Sequence, residues 1–474
     1  MKLIKLSIAL LAISISAAQA QTDHTVHLPT HRVQHMHHDS TMMMHDTTHH
    51  PMNHMMMMSS QYSRDLPMNR DGSGSSWVPD ATPMYGYMIH GKKWMSMVHG
   101  NIVPRYTNQD LFNKGSRGAY KVDAPNWFMA MTQRKIGANG LFSVNAMFSF
   151  DPFLVGNGGY PLLYQTGESY KGVKLVDRQH PHDLFSELSI AYAHRIAKNT
   201  DVYASVGYPG EPALGPPTFM HRLSAMNIPD APLTHHYADA THITFGVATL
   251  GFRYKDVKIE GSTFKGREPN EERYGFDSPK FDSYSVRLSY NPSREWALQV
   301  SNGWIHSPED LEPQQNVDRF TASAMNTHLL KGDNYISTTL VYGQNHFSDN
   351  HKTLPSVLLE SNLQLRKTAI YGRYEYVQKD ADELDLHELY TSNPNFNINA
   401  FTLGINQILA TVKHTDLRAG VQATVNASPS ALKTLYGTAP VGFEVYLRIS
   451  PSIMKMMGMG GQHKKAMKMD DMQM

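Results

Sequence analysis

Between positions 21 and 60 the chain carries ten histidines (His24, His27, His31, His35, His37, His38, His45, His49, His50 and His54) and nine methionines (Met36, Met42, Met43, Met44, Met52, Met55, Met56, Met57 and Met58). Imidazole binds copper and zinc alike, whereas a thioether is a good ligand for Cu(I) or Ag(I) and a poor one for zinc, so the combination selects copper. The C-terminal end repeats the composition, with Met454, Met456, Met457, Met459, Met467, Met469, Met472 and Met474 around His463. A segment with so many donors and no periodicity would bind several ions in shifting sets, as a collector. Low-complexity drift is the competing explanation, and the same enrichment at both ends speaks against it.

A second candidate site is more compact. Asp177-Arg178-Gln179-His180-Pro181-His182-Asp183 places two imidazoles two residues apart, on one side of an extended chain. The next long connection carries Met220, His221, Met226, His235, His236, Asp239 and His242. One short hairpin separates the two stretches, so His180, His182, His221, His235, His236 and His242 could close on one ion. Met220 or Met226 would favour copper, and Asp183 or Asp239 would favour zinc. The plainer expectation is that these histidines simply hydrogen-bond within ordered loops.

The rest of the composition excludes several classes. The 474 residues contain 26 His and 29 Met but no Cys, which removes disulfides, thiolate metal sites and cysteine nucleophiles. A net charge of +1 disfavours a nucleic-acid partner. There is no nucleophile elbow, phosphate loop or metalloprotease helix, so no enzymatic activity is expected.

The elements that must position these ligands begin with an export signal. Lys2 and Lys5 precede an apolar run from Leu6 to Ile15, and Ala18-Gln19-Ala20 offers a cleavage site. Residues 1–20 are therefore read as a signal peptide and 21–76 as a disordered Met/His-rich segment. No later stretch has the ~18 apolar residues that a membrane helix needs. From Trp94 to Ile449 the chain alternates apolar and polar residues in runs of eight to thirteen. In one run Phe142, Val144, Ala146, Phe148 and Phe150 share a face opposite Ser143, Asn145 and Ser149.

About sixteen such runs begin near residues 94, 126, 141, 185, 201, 243, 257, 282, 296, 320, 335, 357, 368, 397, 415 and 441. Their connections alternate between short and long, the long ones including 151 to 184, 209 to 242 and 344 to 356. Lipid-facing strands must satisfy their backbone groups in a closed ring. Short turns on one rim, long loops on the other and an even strand number describe an outer-membrane antiparallel up-and-down β-barrel. It is expected over 77–450, with a Met/Lys-rich tail over 451–474 and both tails in the periplasm.

In layout the chain resembles the copper-resistance B family of outer-membrane proteins. A signal peptide precedes a Met/His-rich segment, with His35-Met36-His37-His38 and Met42-Met43-Met44-His45, and then a barrel reaching near the C-terminus. The resemblance implies a role in copper tolerance, by sequestration or by passage across the outer membrane. Expected partners are Cu(I) and Cu(II), zinc at the loop histidines, outer-membrane lipid and periplasmic metal carriers. The alternative is a general or solute-selective porin with incidental metal buffering.

Overall fold

The structure, a computed structural model, describes residues 58–454. The expected signal peptide, the metal-collecting donors up to Met57 and those from Met456 onward lie outside the described residues.

Sixteen long antiparallel strands form the wall: β1 Met95–Ile102, β2 Asn126–Ile136, β3 Gly140–Phe148, β4 Phe185–Ala197, β5 Thr200–Gly207, β6 Val247–Tyr254, β7 Val257–Phe264 and β8 Ser283–Ser293. They continue as β9 Trp296–Ile305, β10 Val317–Leu329, β11 Tyr335–Phe347, β12 Thr353–Leu365, β13 Thr368–Asp380, β14 Asn395–Val412, β15 Thr415–Ala427 and β16 Val441–Pro451. Each pairs with its neighbours in sequence, and the ring closes where Ile102 of β1 meets Ile449 of β16. Three short strands complete the seam. Arg105–Asn108 extends β1 and pairs with both β16 and Tyr120–Asp123, while Tyr87–His90 pairs with the start of β1. No described helix is long and apolar enough to cross a membrane.

Alternation explains the wall. On β8, Tyr284, Val286, Leu288 and Tyr290 point outward and are exposed, while Ser283, Ser285, Arg287 and Ser289 are buried inside. The same split recurs on β7, where Ile259 faces out and Lys258 and Glu260 face in. A closed ring that is apolar outside and charged inside suits lipid around it, because no backbone edge is left unpaired in hydrocarbon. The inward charges are paired rather than loose: Arg287 lies 3.1 Å from Glu260, and Arg373 lies 3.3 Å from Glu360.

The connections form two rims. One consists of short turns such as 255–256 and 366–367, and the other of long loops. One expected long loop is short, because β11 and β12 run on to leave only 348–352 where 344–356 was expected. The chain enters and leaves the wall side by side, with Tyr85 paired to Ile453 and the Met454 amide donating to the Met84 carbonyl.

The expectation of disorder through Ser76 needs correction. Residues 59–84 run across the inner face near the short-turn rim. The Gln133 side chain donates to the Ser59 carbonyl at 2.9 Å, Arg70 pairs with Asp80 at 2.6 Å and with Asp256 at 3.0 Å, and Asn291 donates to the Val78 carbonyl. Tyr62 packs on Tyr203 with ring centroids 4.6 Å apart. Sparse aliphatic content makes this segment look unfoldable alone, but inside a polar lumen its serines, Asp71 and Arg70 find fixed partners.

Candidate metal site in the lumen

The second long loop, residues 149–184, contains a hairpin of Tyr160–Tyr170 and Val173–Gln179, and the third, residues 208–246, is buried along nearly all its length. Loop 3 crosses the lumen and is tied to strands around it. Arg222 pairs with Glu360 of β12 at 2.7 Å, Arg448 of β16 donates to Asn227 at 2.9 Å, and the Asn345 side chain of β11 donates to the His236 carbonyl at 3.0 Å. Asp230 receives Arg105 at 2.5 Å and Gln422 at 3.1 Å.

Folding both loops inward brings five of the six expected histidines together. His182 and His242 have ring centroids 5.5 Å apart, His242 and His235 5.2 Å, His235 and His236 5.2 Å, and His236 and His180 5.3 Å. The sixth is a correction: His221 packs instead on Trp127 at 4.7 Å and on His99 at 5.8 Å. Its neighbour in the sequence, Arg222, turns to Glu360, which fixes the direction of the short helical turn Phe219–His221.

Four of these rings are held through Nδ1, that of His180 by the Pro181 carbonyl at 3.3 Å and Glu168 at 3.2 Å. The His235 Nδ1 meets Asp239 at 2.6 Å, the His182 Nδ1 meets Asp151 at 2.8 Å, and the His242 Nδ1 meets the Asp239 carbonyl at 3.1 Å. A carboxylate or carbonyl on one ring nitrogen fixes the tautomer and leaves the other nitrogen as a lone-pair donor, as in most imidazole metal sites. The opposite nitrogens of His235 and His242 are buried without a hydrogen-bond partner, as are both nitrogens of His236. Such orphans are costly in a finished protein interior, and an ion between His235 and His236 would satisfy one nitrogen of each ring.

Two triads share His236. His180, His235 and His236 each offer a nitrogen within 4.8 Å of the other two, and His236, Glu268 and Glu309 do so with carboxylates. A tetrahedral ion with 2.0–2.1 Å bonds holds its nitrogens about 3.3 Å apart, so closure of up to about 1.5 Å would complete the first triad. Gly167 lets loop 2 lie this close: its φ is +119°, and a Cβ there would stand 2.2 Å from the His236 Cε1.

The electrostatics favour neutral ligands. Burial pushes His236 down to about 4, and burial together with the charges around it holds His180 and His242 well below the usual imidazole range. Burial raises Asp239, but Arg222 at 2.5 Å and His235 more than reverse this and keep it ionised. The acidic side is held differently. Burial lifts Glu309 to about 7, with nearby Glu268 adding to the effect and His236 opposing it.

Sequence reasoning located His180, His182, His235, His236 and His242, and Asp239 as a ligand candidate rather than as the residue that orients His235, but it missed Asp151 and the acidic pair. It also missed His99, whose signal was available in the alternation Met95-x-Met97-x-His99.

A closed antiparallel ring with a lipid-compatible exterior and loops folded into its lumen defines an outer-membrane β-barrel protein. No family model matches the sequence, and no curated protein matches it. Among solved structures it is similar to a loop L8 deletion mutant of OmpT, an outer membrane protein of Vibrio cholerae, at 8% identity and TM-score 0.45, covering 76% of this chain and 100% of that one. It is also similar to Salmonella typhi OmpF in complex with daunomycin (8%, TM-score 0.46, 77% and 99% covered) and to an anion-selective porin from Comamonas acidovorans (10%, TM-score 0.43, 76% and 99%). The closed ladder, rather than these distant likenesses, establishes the barrel.

Proposed function

We propose that this barrel handles copper at the outer membrane, with the Met/His-rich ends collecting ions on the periplasmic side and the lumenal histidine cluster holding one within the barrel. The observation that carries this reading is the buried triad of His180, His235 and His236, whose ligand atoms lie within 4.8 Å of one another, with the His235 ring held through Nδ1 by Asp239 and its other nitrogen without a hydrogen-bond partner. Carboxylates and imidazoles together suit Cu(II) or zinc, and the thioethers of the ends suit Cu(I). Electron paramagnetic resonance of the full chain with stoichiometric Cu(II) tests it: superhyperfine coupling to several imidazole nitrogens is expected. It should be lost from the lumenal ion when His235 and His242 are both changed to Ala. Retention of the parent's spectrum by that variant would move the binding to the ends alone.

A general porin is the second reading, in keeping with the polar inner wall, where Arg253, Lys258 and Arg287 are paired with Asp201 and Glu260 and leave no one-sign bias. Single-channel recordings separate the two. A steady open conductance unaffected by copper supports a porin, and a closed channel with metal-dependent events supports metal handling.

A further inference from the structure

The inner wall of a membrane barrel is ordinarily polar, and around most of this ring it is. The β1–β2 sector departs from that rule. Met97 and His99 of β1 and Met129 and Met131 of β2 occupy inward positions, and the register sets Met97 opposite Met131 and His99 opposite Met129. Directly opposed residues have Cβ atoms about 4.5–5.5 Å apart, so the three thioethers and one imidazole form a single patch. Loop 3 faces the patch with Met220 and His221, and the six residues border one cavity.

Methionine often fills irregular gaps in apolar cores, and packing alone could explain a buried thioether. Two observations point further. These methionines border open space rather than closing it, and the His99 Nε2 among them is buried without a hydrogen-bond partner. The cavity also adjoins the one bordered by His180 and His182, the two sharing Trp127, Met220, Met226 and Arg448.

We propose that Met97, His99, Met129 and Met131 form a binding site for a soft monovalent cation of the Cu(I) or Ag(I) class, separate from the histidine cluster and next to it in the lumen. A thioether-rich set with one imidazole discriminates against zinc and Cu(II), which the histidine cluster accepts. The proposal rests on the copper reading for its cargo but stands on its own residues.

The test uses the full chain in lipid nanodiscs, with 13C-labelled methionine methyl groups and Ag(I) as a redox-inert probe. Single Met97→Leu, Met129→Leu and Met131→Leu variants, each close to methionine in volume, assign the three resonances. Ag(I) should move all three together, and the triple variant should bind one fewer tightly held Ag(I) per chain. The proposal is overturned if the three resonances stay still while methionines of the ends are saturated, or if the triple variant binds as many equivalents as the parent. The parent's methyl shifts decide the matter even if the triple variant does not fold. Failure of the broader copper reading is seen separately, as a Cu(II) spectrum without lumenal imidazole coupling, whichever way the methyl groups behave.

Discussion

A buried histidine keeps one ring orientation when something else holds it, and here that role falls to Asp151 and Asp239. Asp151 uses both oxygens: Oδ1 accepts from the Asn126 amide and side chain, and Oδ2 accepts from the His182 ring. Asp151→Asn keeps the first role but turns an NH2 group toward His182, which then cannot donate from Nδ1. Losing such an orienting partner costs roughly 10- to 100-fold in metal affinity. Competition of the full chain against a calibrated chelator should show a loss of that size at the lumenal site, and unchanged affinity would show that His182 takes no part. The pair His180 and His182 was legible from spacing alone. Their partnership with Asp151, 31 residues away from His182 in sequence, was not.

At the scale of elements, the histidine cluster comes together because loop 3 is pinned across the lumen. Arg222 is the central tie, bridging Asp239 within the loop and Glu360 on β12, with all three side chains at most 2% exposed. Removing one partner of a buried ion pair leaves an uncompensated charge and typically costs about 3–5 kcal/mol. In Arg222→Ala, two carboxylates are left, so loop 3 should swing free while the strand ladder persists. The expected outcome is rapid proteolytic cleavage within 208–246, with the barrel still migrating as a heat-modifiable band on gels. A loop as resistant as the parent's would show that its other ties suffice.

The whole molecule makes two further predictions. Short turns and long loops lie on opposite rims, so an epitope in the exposed loop 381–394 should be reachable by antibody on intact cells, whereas one at turn 366–367 should become reachable only after permeabilisation. The reverse pattern would invert the barrel. The outward band must also tolerate lipid. Leu288, midway along β8 and pointing outward, is a position where an arginine should cost about 2–4 kcal/mol, measurable by reversible urea unfolding in vesicles. Ser289 beside it faces the lumen, and Ser289→Asn should change stability far less, because the exchange is made against polar wall rather than hydrocarbon. Equal effects at both positions would contradict the assigned faces.

The strands, their number and their two faces were readable from the residues, because each strand must satisfy lipid on one side and polar lumen on the other, and that demand is written locally with a period of two. The lengths of most connections were readable for the same reason, and the error at 344–356 came from a β-branched-poor stretch that the neighbouring ladders nevertheless extend. Tertiary structure alone decided where the long loops go. Nothing local in 208–246 says that it turns inward, since the partners that draw it there, Glu360, Asn345 and Arg448, are spread over three distant strands. The same holds for residues 59–76, which find order only inside the ring, and for His221, which leaves the other histidines to join His99 and Trp127. Ring closure and strand register set these neighbours, and both depend on the whole chain at once.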